Sequence, residues 1–320
     1  MDILFIGGTG FFGKAFLNFI KINNPRYLSS LTIVGRSAPD FLKINKEFDN
    51  LKNIRFIYGD ILKDLSHLND RSYTHIVHAA ADSTNVSDLS SIDRYQQIVD
   101  GSKNVLSYAR DYCPESKFLF VSSGGVYGSM PTSSDSFTEL DIHYSDILDS
   151  SNVYSMAKRT AEHLCSLYHD EYNLKISIVR CFCFSGVNLP LDVHFAIGNF
   201  VLDAMKGNDI IIKGDGMSVR SYLDQDDLVE WMIAVLRNDS FNLTTYNIGS
   251  EERITIKDLA FLVQELSNKG LDVKILNQNK SAYKRSTYVP NCKKIKDKFN
   301  LVEKVSLSNS IIKMLDKKIS

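Results

Sequence analysis

The sequence predicts an α/β fold, a doubly wound parallel sheet followed by a smaller C-terminal α/β part. Three observations predict it. Short β-prone runs alternate with helical stretches through residues 1–180, the runs are nearly continuously apolar, and a glycine-rich turn directly follows the first of them. Strands covered by helices on both faces have this apolar character, and ligands of such sheets sit beyond the carboxyl ends of the strands. Function is therefore expected in the loops at that end.

The β-prone runs are Ile3 to Ile6, Leu31 to Val34, Ile54 to Tyr58, His75 to His78, Phe118 to Ser122 and Ile176 to Arg180. Phe12 to Ile22 places Phe16 and Ile20 on one helical face, and Tyr154 to Tyr168 does the same with Ala157, Ala161, Leu164 and Tyr168. After Arg180 the alternation weakens into Gly186 to Pro190, a helical stretch, the strand-like Ile210 to Lys213, and helices with a basic tail. The expected division is a first domain over residues 1–180, to which the chain returns at about 219–248, and a second over 181–218 and 249–320. Lys293, Lys294, Lys296 and Lys298 read as a solvated helix face, because acids interrupt the run and no aromatic platform accompanies it.

Composition narrows the function classes. A chain of 320 residues with 44% hydrophobic content can bury a large core. Lysine plus arginine (37) nearly balance aspartate plus glutamate (38), so no global field draws it to nucleic acid or acidic lipid, and neither is an expected partner. Five cysteines, odd in number and without a C-x-x-C pair, argue against a disulfide framework and a zinc site. No metal is expected, and a reducing cytoplasm is the expected location. Met1 to Ile6 lacks the basic start of a signal peptide, and no apolar stretch approaches the roughly 20 residues of a spanning helix.

The turn after the first strand reads Gly7-Gly8-Thr9-Gly10-Phe11-Phe12-Gly13, with a helix directly after it. Gly7 suits a tight turn, Gly10 a close backbone approach to a pyrophosphate, and Gly13 close packing of helix on strand; the helix start, with Phe11 and Phe12, offers unpaired N–H groups. A dinucleotide is the expected ligand; a glycine turn without ligand is the alternative. The second strand ends in Val34-Gly35-Arg36-Ser37, without the carboxylate that would read a free ribose 2′-hydroxyl. Arg36, with Ser37 beside it, can instead pair with a 2′-phosphate, which favours NADP(H) and leaves NAD(H) open. An ordinary exposed arginine is the other reading of Arg36. Asp60 and Ile61 after the third strand offer a carboxylate and a backbone N–H to an adenine edge, or simply make a turn.

Tyr154 and Lys158 stand four apart in a helical segment and so share a face. A lysine ammonium and an oxidised nicotinamide nearby would stabilise the phenolate and turn a phenol of ordinary pKa about 10 into a usable acid and base. Ser123, at the end of the fifth strand, can hydrogen-bond the same substrate oxygen while hydride passes at the adjacent carbon.

With these residues in place the chain resembles the extended short-chain dehydrogenase/reductase family, in its NAD-dependent epimerase/dehydratase group of sugar-nucleotide enzymes. The resemblance spans nearly the whole chain. It rests on the glycine turn, Asp60-Ile61, His78-Ala79-Ala80-Ala81, the segment Ser122 to Gly128, Tyr154 to Lys158, Arg220-Ser221-Tyr222 with Asp226-Asp227-Leu228, and Tyr246-Asn247-Ile248-Gly249. It implies a Rossmann-type domain, a C-terminal sugar-nucleotide domain and often a homodimer. It further implies that Ala79, Ala80 and Ala81 line the dinucleotide, that Lys158 also binds the nicotinamide ribose, and that Ser123 completes a triad with Tyr154 and Lys158. By the same resemblance Asn199 and Arg220 hold a nucleotide-sugar pyrophosphate, a surface ion pair being the other reading of Arg220; Arg285, before Tyr288-Val289-Pro290, is a second such arginine, and Thr84 touches the sugar or is a solvated loop threonine.

Departures from the family pattern narrow the reaction. The 4,6-dehydratases of the family carry an acidic pair after the catalytic hydroxyl residue, where this chain has Gly124 and Gly125; elimination needs such groups. Ile98 stands where asparagine is common, Cys183 replaces a substrate-side asparagine, and Ser221 replaces an aspartate. His194 reads as structural or exposed rather than catalytic. The expected function is NADP(H)-dependent reduction of a 4-keto (6-deoxy) sugar nucleotide. Alternatives are a nucleotide-sugar 4-epimerase with tightly held NAD, and a non-catalytic cofactor-sensing protein of the same fold.

Overall fold

Short apolar runs with a helix after almost every one fold here as strand and crossover. In chain order the first elements are β1 (Asp2–Ile6), α1 (Phe11–Asn23), β2 (Ser30–Gly35), α2 (Phe41–Ile44), β3 (Ile54–Tyr58), β4 (His75–His78), α3 (Ser91–Tyr112), β5 (Lys117–Ser123), α4 (Val153–Tyr172) and β6 (Lys175–Cys181). The structure, a computed structural model, describes residues 1–81, 89–128, 135–141, 145–193, 195–276 and 286–317. Thr84, His194 and Arg285 lie outside the described residues.

The second half adds β7 (Phe184–Ser185), α5 (Ala196–Lys206), β8 (Ile210–Ile212), β9 (Val219–Arg220), β10 (Leu223–Asp224), α6 (Gln225–Leu236) and β11 (Thr244–Ile248). It ends with β12 (Ile254–Thr255), α7 (Ile256–Ser267), β13 (Val273–Ile275), β14 (Thr287–Tyr288), α8 (Lys293–Phe299) and α9 (Leu307–Leu315). Seven strands form one sheet in the order β11-β6-β5-β4-β1-β2-β3, and every pairing in it is parallel. The order reverses between β1 and β4, so the crevice beyond their carboxyl ends is the switch point at which such sheets bind ligands.

Side chains alternate across each strand, and the two faces build two cores. Ile3 and Phe5 face Phe16 and Leu17 of α1 and Trp231 of α6; Leu4 and Ile6 face Val105 and Leu106 of α3 and Ala157 and Ala161 of α4. A third core joins α5, α7 and α9 through Phe200, Val201, Leu259, Val263 and Ile311. Among the described residues no helix is long and apolar enough to cross a membrane.

The strand-like Ile210 to Lys213 is β8, paired in parallel with β13. Only part of the basic run on α8 is a solvated face. Lys293 pairs with Asp297 on the surface, but Lys296 is tied to Glu251 at 2.7 Å and Glu303 at 3.0 Å, and Lys294 donates to the Thr245 carbonyl. These contacts anchor α8 to the end of the sheet.

Candidate active site

The glycine turn is fixed by backbone contacts that leave no room for side chains at Gly7 and Gly13. Gly7 has a φ of +86°, and a Cβ there would lie 2.5 Å from the Ala80 nitrogen. A Cβ on Gly13 would lie 1.8 Å from the Gly8 carbonyl oxygen, so α1 can start against the turn only with glycine at that position. At Gly10 the nearest atom to such a Cβ is the Gly7 oxygen at 3.6 Å, so this stretch of backbone is uncrowded. Gly10 caps α1 without a side-chain hydrogen bond and the first turn carries no acid, which leaves the positive end of the helix open to an anion. The adjoining loops are pinned by Gly7 N–H on the Val34 carbonyl at 2.8 Å and Ala79 N–H on the Ile6 carbonyl at 2.9 Å.

Beyond the strand ends a single cleft of about 2070 Å³ runs from this turn to the α5–β9 side. Ordinary small-molecule pockets hold about 300–1,000 Å³, so the cleft has space for two ligands end to end. Gly7, Gly10, Phe11, Phe12, Arg36, Asp60, Ile61, Ala79, Ala80 and Ala81 line one part; Ser123, Tyr154 and Lys158 line it, as do Asn199 and Arg220. Gly13 and Ser37 stand behind the lining. Ser37 is exposed and donates to the Thr9 hydroxyl at 3.0 Å. Arg36 is exposed at the rim. Asp60 accepts from the Leu62 N–H at 3.0 Å, closing the turn that follows β3.

Ser123 ends β5 in extended backbone and its hydroxyl accepts from the Gly125 N–H at 3.1 Å. Tyr154 and Lys158 occupy the first two turns of α4, whose Ala157 and Ala161 are fully buried and let the helix lie close to β5. Burial pushes the Tyr154 phenol up to about 12, and the nearby Ser123 hydroxyl opposes the rise. Burial pulls Lys158 down to about 8, against nearby groups that include Glu162. The Lys158 ammonium donates to the Val121 carbonyl at 2.8 Å and stands 4.8 Å over the Phe120 ring. Burial and Ser123 thus set the phenol in this structure, while the lysine is held by the β5 backbone.

Ser122 also lines the cleft and donates to Glu162 of α4 at 2.6 Å. Glu162 also takes a two-pronged hydrogen bond from Arg180, at 3.0 and 2.7 Å. Arg220 donates to the carbonyls of Val219 and Ser286 and to the Ser286 hydroxyl, and its guanidinium lies 6.0 Å from the Tyr288 ring centre. Cys183 lines the cleft with its thiol pushed up to about 11 by burial. Ile98 is buried in the α3–α4 core, and its neighbour Gln97 lines the cleft instead. Ser221 is fully buried, with no hydrogen-bond partner for its hydroxyl among the described residues. Among the described residues no three His, Cys, Asp or Glu side chains gather to hold a metal ion.

The sequence marks Tyr288 only as a neighbour of Arg285, not as a cleft residue. Tyr288 on β14 lines the cleft, and its hydroxyl lies 2.7 Å from where a Cβ on Gly124 would stand. Nothing in the Thr287–Tyr288 dipeptide betrays this, because the contact joins two distant segments of chain.

The geometry agrees with what the chain is similar to. UDP-glucuronic acid decarboxylase 1 of Arabidopsis thaliana is 27% identical over 220 residues, which are 68% of this chain and 48% of that protein. The chain spans about half the length of the first curated relatives it matches. Among solved structures, dTDP-glucose 4,6-dehydratase of Bacillus anthracis in complex with NAD superposes with a TM-score of 0.82 at 24% identity, over 98% of this chain and 95% of that one. UDP-glucuronic acid 4-epimerase of Bacillus cereus, in complex with UDP-glucuronic acid and NAD, gives 0.82 at 22% identity, over 99% and 98%. At these identities the superpositions establish the fold. The sequence profile of the NAD dependent epimerase/dehydratase family matches residues 3–249, and the chain belongs to that family.

Proposed function

We propose that this protein is an NAD(P)-dependent oxidoreductase of a nucleotide-activated sugar, and that its net reaction is reduction of a 4-keto (6-deoxy) sugar nucleotide. One observation carries the reading: Ser123, Tyr154 and Lys158 line the same cleft that begins at the glycine turn and extends to Asn199 and Arg220. The turn fits a dinucleotide, with its open helix start for the pyrophosphate and Ala79 to Ala81 beside it. A bound nicotinamide supplies the hydride that reaches the carbonyl carbon. Tyr154 donates its proton to the oxygen that becomes the hydroxyl, Ser123 orients that oxygen, and Lys158 favours the phenolate left behind. Asn199 and Arg220 hold the sugar-nucleotide pyrophosphate at the far end.

The space around residue 124 supports redox chemistry without elimination. A side chain at 124 would meet the Phe182 ring and the Tyr288 hydroxyl at 2.7 Å, so no acid can stand there without displacing both. Arg36 at the rim supports NADP(H), whereas the two solved structures above are complexes with NAD. That second observation favours the alternative, a 4-epimerase that keeps its dinucleotide. The two readings part in one assay with a 4-keto-6-deoxy nucleotide sugar and, separately, a nucleotide hexose. One dinucleotide consumed per ketone reduced supports the reductase. Inversion at the 4-carbon without net dinucleotide consumption supports the epimerase, and neither activity sinks both.

A further inference from the structure

Side chains alternate along β5, so Phe118 and Phe120 join the core under α3 and α4 while Leu119 and Val121 join the opposite one. Phe120 is fully buried, and the β4–β5 register sets His78 directly across from it. The imidazole lies 5.5 Å from the Phe120 ring and is itself tied to the Ser102 hydroxyl of α3 at 3.1 Å, which backs the ring. The Lys158 ammonium of α4 stands over that ring, 4.8 Å from its centre, and donates to the Val121 carbonyl at 2.8 Å. Both of these partners are neutral. The titratable groups around the ammonium are neutral too or already engaged. Burial keeps His78 of β4 unprotonated, its pKa pulled down to about 3, and keeps the Cys181 thiol of β6 and the Cys165 thiol and Tyr154 phenol of α4 protonated. Glu162 is bonded to Arg180 and Ser122. An ammonium within about 6 Å of an aromatic face is attracted to it, most strongly where water is excluded.

We propose that Phe120 is a positioning residue for Lys158: the face of its ring and the Val121 carbonyl together seat the ammonium on the side of α4 that carries Tyr154. A saturated side chain of similar bulk would fill the core but offer the charge no negative face. The ring thereby opposes the loss of the lysine proton that burial promotes. The inference rests on the Ser123–Tyr154–Lys158 reading, and its test separates the two.

The test replaces Phe120 with mono-, di- and trifluorinated phenylalanine, which drain the ring face of electron density with little change of shape. Protein labelled with carbon-13 at the lysine Cε is titrated by NMR without dinucleotide, and Lys158→Met assigns the Lys158 transition by removing it. The pH profile of kcat/KM is read beside it with the 4-keto-6-deoxy nucleotide sugar or the nucleotide hexose above. Each added fluorine is expected to lower the Lys158 transition, by about one pH unit in the trifluorinated protein. The alkaline limb of kcat/KM, which reports the free enzyme, should move down with it. Phe120→Leu should match the trifluorinated protein. A Lys158 transition that stays put across the fluorinated series overturns the proposal and leaves the triad reading standing. A transition that moves while the alkaline limb does not also overturns it, because the seat then has no part in turnover. Wild-type turnover in Lys158→Met overturns the triad reading, and the role of Phe120 with it, whatever the NMR series shows.

Discussion

Lys158 keeps only 2% of its surface exposed, an unusual position for a residue that carries a charge. Its pKa falls from 10.5 to about 8 because burial disfavours the ammonium. Below about 8 the lysine is protonated in both folded and unfolded chains, and the burial cost is present in full. Between about 8 and 10.5 the unfolded chain binds more protons, so stability rises with pH, and above that window the cost has gone. The cost is on the order of 3 kcal/mol. We expect Lys158→Met to stabilise the dinucleotide-free protein by about 1–3 kcal/mol at pH 7 while abolishing turnover. Urea melts at pH 7 and pH 10 check this: the gain should shrink at the higher pH, and a gain independent of pH would assign it to packing. Tyr154 and Lys158 were legible in the sequence because a four-residue spacing on a helix is a local signal. Tyr288 was not, because its place above Gly124 depends on two segments that meet only in the folded chain.

Glu162, one turn beyond Lys158 on α4, ties that helix to β6 through Arg180 and to β5 through Ser122. The side chains of Arg180 and Glu162 are 16% and 11% exposed, so water screens this pair poorly. Glu162→Ala leaves a buried guanidinium unpaired and should cost about 3–5 kcal/mol, whereas Glu162→Leu with Arg180→Met should cost much less. Denaturant melts of both variants decide; equal losses would mean that packing, not charge, sets the cost. Six of the seven strands of the main sheet were legible as apolar runs, whereas β11 at Thr244–Ile248 was not read as a strand. β1 at Asp2–Ile6 and α4 at Val153–Tyr172 sit over the runs expected at Ile3 to Ile6 and Tyr154 to Tyr168. The two-residue strands β7, β9, β10, β12 and β14 were invisible, since a dipeptide has no period and its pairing is set by distant neighbours. Those short strands carry Arg220 and Tyr288 into the cleft, which is why the glycine-turn end of the cleft was easier to read than the Arg220 end.

Across the whole molecule, the sheet supplies the glycine turn and Ser123, α4 supplies Tyr154 and Lys158, and later elements supply Asn199 and Arg220 to the same cleft. Ligand that binds only the folded chain should raise its stability by about 2.7 kcal/mol at a hundredfold excess over Kd. With Arg36 on a 2′-phosphate, NADPH should give the larger thermal shift, and Arg36→Ala should weaken NADPH binding about tenfold or more while leaving NADH unchanged. Equal shifts for the two dinucleotides would remove Arg36 from recognition and support the epimerase reading. The central claim, proton transfer by Tyr154 at the sugar oxygen, is tested most directly by Tyr154→Phe assayed with nucleotide sugar while dinucleotide binding is followed on the same sample. The account predicts that kcat falls about 10²- to 10⁴-fold with dinucleotide affinity retained; turnover at the wild-type rate would contradict it.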